Sequence, residues 1–166
     1  MVCPNGGQDM PNSLGLADWT IVTKRMVDSV NEVTASYDVR PDACPLCGTV
    51  GQLHVWQKRP MTVRDVPNHG KKTVIVVDRA RYKCLSCEKT FMQPLPDVDE
   101  RRRMTKRAIA YVAANCLAKP FVAIARDLGI DEKTVRQITK EHMAANVFNG
   151  CMAEQGLVPH PVTSPS

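Results

Sequence analysis

The apolar positions of this chain follow two periods, one of two residues in its first half and one of about three and a half beyond residue 104. Val33, Ala35, Tyr37 and Val39 alternate with Glu32, Thr34, Ser36 and Asp38, as in a half-buried strand. The β-prone segment DWTIVTKRM at 18–26 precedes it across a polar turn around Asp28 to Asn31, so the pair predicts a hairpin. LHVWQKR at 53–59 reads as a further strand, and residues 61–84 as a second hairpin turning at Pro67 to Gly70. On its return strand Arg79, Arg81 and Lys83 share one face and Ala80 and Tyr82 the other, which suits either a basic ridge or a solvated sheet face. From Thr105, a natural N-cap, Ile109, Val112, Ala113, Cys116 and Leu117 recur on one helical face, which places Cys116 in a core. Lys119-Pro120 ends that helix and starts another.

The segment FVAIARDLGIDEKTVRQITK at 121–140 has the form of a helix-turn-helix. Ala125 is small where two helices must cross, Gly129 supplies the turn, and Ile124, Leu128, Ile130, Val135 and Ile138 are the apolar contacts. Asp131 is placed to cap the second helix, leaving Glu132, Lys133, Arg136, Gln137 and Lys140 facing outward. Arginine and glutamine can pair bidentately with guanine and adenine edges, so these five are the candidate base-reading residues.

The candidate chemistry lies upstream, in two Cys-x-x-Cys hooks. CPLC at 44–47 and CLSC at 84–87 each aim two thiolates at one point, and together they can complete a tetrahedron around Zn2+. The metal ligands are therefore Cys44, Cys47, Cys84 and Cys87; iron fits the same four sulfurs, and a redox dithiol lacks the surrounding βαβ pattern. Gly48 follows the first hook and suits a positive φ, whereas Glu88 stands at the equivalent place in the second. His54 and His69 read as surface or turn residues beside an already complete ligand set, and Cys3, Cys116 and Cys151 as incidental or core thiols.

Charge sharpens the picture. Residues 1–57 carry three basic and six acidic side chains, residues 58–107 fourteen and six, and the remainder five of each, so the net +5 is concentrated mid-chain. Within that belt MQPLPDVDERRR at 92–103, with its prolines and three consecutive arginines, reads as a basic linker. Arg101, Arg102, Arg103, Lys106 and Arg107 are the candidate phosphate contacts. No apolar run suits a signal peptide or a membrane span, so the expected setting is cytoplasmic, with association with the bacterial nucleoid expected of a chain that binds DNA there. The expected fold class is α+β: an irregular stretch at 1–13, a hairpin and small β-rich zinc ribbon at 14–93, the linker at 94–104, a three-helix helix-turn-helix domain at 105–148 and a flexible tail at 149–166.

The order of these parts resembles the N-terminal half of transposases of the ISL-three insertion-sequence family. The matching stretches are LGLADW at 14–19, CPLCG at 44–48, VRDVP at 63–67, RYKCLSCEKTF at 81–91, RMTKR at 103–107 and IARDLGIDEKTVRQI at 124–138. The resemblance implies zinc on the four hook cysteines and a helix-turn-helix that helps recognise the ends of insertion elements in double-stranded DNA. Such transposases continue into an RNase H-like domain whose three acidic residues hold two Mg2+ ions. The eighteen residues after Phe148 leave no room for one, and the acids elsewhere are scattered, so no catalysis is expected of this chain alone. A homodimer or a separate transposase subunit is the further expected partner. A protein-interaction adaptor remains the alternative, as does the DNA-binding part of a split transposase.

Overall fold

The computed structural model describes residues 14–16 and 18–154, with side chains described as far as Ala145. Seven strands precede three helices: β1 Trp19–Val27, β2 Val30–Tyr37, β3 Leu53–Asn68, β4 Lys71–Cys84, β5 Thr90–Met92, β6 Val98–Asp99, β7 Met104–Thr105, α1 Lys106–Asn115, α2 Phe121–Leu128 and α3 Glu132–Glu154. The strands form one mixed sheet in the order β1-β2-β4-β3-β7-β6, with β5 added to β4.

Both long hairpins close through two residues of positive φ, Asp28 and Ser29 in the first, His69 and Gly70 in the second. That geometry matches the right-handed twist of the strands it joins. The first hairpin shows the expected alternation: Val33, Ala35 and Tyr37 are buried, while Val39, beyond the strand, is exposed. β2 then lies parallel to β4, with Val33 opposite Ile75. This pairing brings the hairpin onto the central ribbon, where Leu14, Leu16, Trp19, Val63, Ile75, Val77, Leu95 and Val98 complete the first core.

β3 is one continuous sixteen-residue strand, not two, because a bulge at Trp56 absorbs the change of register between Val55 and Gln57. The ribbon it forms with β4 is shared by two cores. Val63, Ile75 and Val77 enter the first, whereas Val66 packs against the second, formed by Met104, Ala108, Val112, Ile124, Ala125, Leu128, Val135 and Ile138.

Residues 94–104, expected as a linker, are built into the sheet instead. Leu95, Val98 and Met104 are buried, and β6 and β7 extend the sheet beyond β3. Apolar residues spaced among prolines and charges carry no periodic signal, yet their burial ties the helices to the ribbon. Arg79 likewise leaves the predicted basic face: it is buried, donating from Nε to the Gln93 carbonyl at 2.6 Å and pairing with Glu100. Gln93 is itself buried, and its amide nitrogen donates to the carbonyls of Tyr37 and Val39 while its oxygen accepts from the Ala80 amide.

In the helical part Thr105 caps α1, its hydroxyl accepting from the Ala108 amide at 3.2 Å. Leu117 departs from the expected buried face. α1 ends at Asn115, the helical period stops with it, and Leu117 is 85% exposed. Gly129 closes α2 in the left-handed conformation at φ 67°, with Ile130 donating back to the Ala125 carbonyl. α3 continues past residue 148 to Glu154. The irregular start predicted for 1–13 and the final part of the tail, 155–166, lie outside the described residues. Among the described residues no helix is long and apolar enough to cross a membrane.

Candidate metal centre and nucleic-acid interface

The four hook cysteines converge at the end of the β3–β4 ribbon remote from the His69-Gly70 turn. Each hook folds into the same turn. The Cys44 amide donates to the Thr49 carbonyl at 2.9 Å, and the Cys84 amide to the Lys89 carbonyl at 2.9 Å, so each chain segment curls around its own pair of sulfurs. The residue after each hook takes a positive φ, 75° at Gly48 and 57° at Glu88, as the repeat of the turn requires. The second is a non-glycine residue in the left-handed region, at a cost of about 1 to 2 kcal/mol.

Sulfur geometry tests the metal directly. Cys44 Sγ lies 3.8 Å from Cys87 Sγ and Cys47 Sγ 3.7 Å from Cys84 Sγ, and all four lie within 4.8 Å of one another. A tetrahedron with zinc–sulfur bonds of about 2.3 Å has edges of about 3.8 Å. The residues fit.

The electrostatics of the cluster call for a cation. Hydrogen bonding with the Thr49 hydroxyl, then with the Thr49 backbone, draws the Cys47 thiol down to about 6. At Cys87 the Lys89 amide also favours the thiolate, but burial and the three neighbouring cysteines outweigh it and push the thiol up to about 11. Four sulfurs this close cannot all ionise by themselves; a divalent cation allows it. Cys44 and Cys84 are buried, Cys47 is open to solvent, and Leu46, Val50 and Leu85 stand exposed around the tip. His54 and His69 are exposed and outside the cluster, and Cys116 is buried at the end of α1.

On α3 the outward placement is as expected: Lys133, Arg136, Gln137 and Lys140 are exposed, Glu132 is half-buried, and Val135 and Ile138 are buried. Asp131 directly precedes the helix, its carbonyl accepting from the Thr134 and Val135 amides. Two of the outward residues have partners on the same helix. Arg136 Nε donates to Glu132 at 3.0 Å and the Gln137 amide to Glu141 at 2.9 Å.

The basic stretch is more heavily committed. Arg107 forms a two-point pair with Asp65, which is 1% exposed and also accepts from the Thr105 hydroxyl at 2.7 Å. Arg102 is 11% exposed and bridges Asp99 at 2.8 Å and Glu141 at 2.6 Å; Arg101 reaches the same Glu141 at 3.2 Å. Glu141 therefore ties the arginine turn to α3, and hydrogen bonding from Gln137, then the charge of Arg102, lowers its pKa. Arg103, at φ 52°, and Lys106 are exposed and make no ion pair among the described residues. Asp65 is the important residue that periodicity missed. Its only signal was the stretch VRDVP, in which a strand position that faces the core carries a carboxylate.

A four-thiolate ribbon whose sheet continues into three packed helices is the architecture of a metal-stabilised binding module. Residues 40–87 match the family model described as the zinc-finger of transposase IS204/IS1001/IS1096/IS1165. Residues 93–143 match the one described as the helix-turn-helix domain of transposase family ISL3. Together they span more than half of the sequence, and the chain belongs to the ISL3 transposase family. No curated protein and no solved structure matches it. The metal implied by the ribbon is zinc, held by Cys44, Cys47, Cys84 and Cys87.

Proposed function

We propose that this protein binds double-stranded DNA sequence-specifically, recognising insertion-element ends or an operator, and that the residues described here carry no catalysis of their own. The observation that supports the reading most is α3, with Lys133, Arg136, Gln137 and Lys140 exposed along a helix whose other side is anchored by Val135 and Ile138. Glu132 and Glu141 hold the arginine and glutamine extended along the helix in the free protein, and a base edge replaces those carboxylates on binding. Arg101, Arg103 and Lys106 are then the backbone contacts of the basic stretch. Arg102 and Arg107 act mainly as internal struts, because each satisfies a carboxylate that is itself largely withdrawn from water.

Zinc supplies no chemistry to the DNA here; its thiolates fix the ribbon tip. A second reading, the tip as a protein-contact module, is favoured by the exposed Leu46, Val50 and Leu85 grouped around it. The test is fluorescence anisotropy of zinc-loaded protein on random and element-end duplexes over a series of salt concentrations. The proposal predicts binding that weakens with salt and is tighter on one sequence; absence of binding at low salt overturns it.

A further inference from the structure

The residues from Asp131 to Glu141 include three acids and three bases, so the exposed part of α3 brings no net charge to a polyanion. Much of the basic stretch at 101–107 is neutralised internally by Asp65, Asp99 and Glu141. Further positive charge near the helices lies on the β3–β4 ribbon. A Cβ placed on Gly129, in the turn between α2 and α3, would lie 3.2 Å from Lys72 Cδ and 3.6 Å from Arg64 Nη1. These two ribbon side chains therefore cover the turn that leads into α3.

Their position follows from the strand period. Arg64 and Val66 share one face of β3, Val66 packs into the helical core, and Arg64 stands opposite Val74, with Lys72 two residues before it on the same face. Lys71 is exposed beside the His69-Gly70 turn. Among the described residues none of Arg64, Lys71 and Lys72 has an ion-pair partner.

We infer that the tip of the β3–β4 hairpin is a second DNA-contacting element, in which Arg64, Lys71 and Lys72 grip backbone phosphates beside the groove that α3 enters. Arg64 and Lys72 are held over the α2–α3 turn by packing that exists before DNA arrives, while Lys71, on the other face of β4, stands exposed at the hairpin turn and extends the same cluster of cations. The tip adds affinity without sequence preference, since phosphates carry no base identity. It also makes the ribbon more than a scaffold: its metal end and its turn end have different tasks. The inference rests on the reading of α3 as the DNA-facing helix.

The experiment compares wild type with Lys71→Gln/Lys72→Gln on mixed-sequence duplexes of about two helical turns, titrating salt from about 50 to 200 mM. Glutamine keeps much of the Lys72 stem over Gly129. The slope of log K against log salt should flatten by about 1.8, at about 0.9 for each phosphate that a lysine no longer neutralises. Affinity should fall by the same factor on every sequence. Lys71→Gln alone, on an exposed side chain that cannot upset folding, should flatten the slope by about 0.9. An unchanged slope in both folded, zinc-loaded variants overturns the inference. If wild type binds, and Arg136→Ala removes its sequence preference, that failure leaves the reading of α3 intact; if wild type binds no duplex, both fall.

Discussion

Asp65 is the joint between the ribbon and the helices, and replacing it tests how the two cores are held together. Its carboxylate, 1% exposed, accepts from the hydroxyl that caps α1 and from two nitrogens of Arg107. Removing one partner of a buried pair costs about 3 to 5 kcal/mol. Arg107 retains 31% of its side-chain exposure, so water can take over some of its hydrogen bonds and Asp65→Ala falls at the lower end, about 3 kcal/mol. For a domain of this size that lowers Tm by about 10 °C. Arg107→Ala should cost at least as much, because the carboxylate it abandons has no route to solvent. The double variant should be less destabilised than the sum of the two, with a coupling of about 1.5 kcal/mol or more. Urea unfolding of the four zinc-loaded proteins measures all three quantities. If Asp65→Ala changes stability by less than about 0.5 kcal/mol, the size of an ordinary surface substitution, the joint is not where the structure places it.

Other outcomes follow from the same contacts. Glu88→Gly should stabilise the metal tip by up to about 1 kcal/mol, relief of the left-handed strain at φ 57° being partly offset by the greater freedom of glycine in the unfolded chain; a lower urea midpoint for the variant would count against it. Removing zinc, which contributes about 10 to 16 kcal/mol to small zinc peptides, should expose the amides of the hooks and β5 to hydrogen exchange while α1 and α2 stay protected. Uniform loss of protection would show instead that the helices depend on the metal. Glu141→Gln should free Arg101 fully for the DNA backbone while Asp99 keeps Arg102, so the salt dependence of DNA binding, read by anisotropy, should steepen by no more than about 0.9. In acid the Asp99–Arg102 pair should weaken. Burial opposes the charged form of Asp99, but hydrogen bonds from the Arg102 amide and guanidinium prevail and hold its pKa below the usual carboxylate value. Its stabilising contribution is thus present above the unfolded pKa of about 3.9 and lost as pH falls through the folded value. An Asp99 titration by NMR at or above the unfolded value would contradict this.

The parts most legible in the sequence were those in which one residue determines its own surroundings. Two-cysteine hooks are local turns, so their spacing announces the metal centre before any tertiary contact is known. The alternation from Val33 to Tyr37 and the glycine at 129 are equally local, and the hairpin and the α2–α3 turn appear where the pattern puts them. Long-range partnerships were not legible. Nothing in the neighbourhood of Arg107 shows that Asp65 lies against it, so a structural strut and a free phosphate contact look alike in one dimension. The parallel pairing of β2 with β4 and the burial of Leu95, Val98 and Met104 are of the same kind. Leu117 failed for a local reason, since a helical period holds only as far as the helix, and α1 ends two residues earlier.

Base reading by α3 is the step on which the proposed DNA recognition depends. Its most direct test is selection of bound duplexes from a randomised pool by the zinc-loaded protein, alongside Arg136→Ala and Gln137→Ala. Wild type should enrich one motif, and each variant should relax the preference at a particular position, losing about 1 to 3 kcal/mol on the selected site and little on random DNA. A pool that emerges unenriched, or variants that lose affinity equally on every sequence, would contradict it.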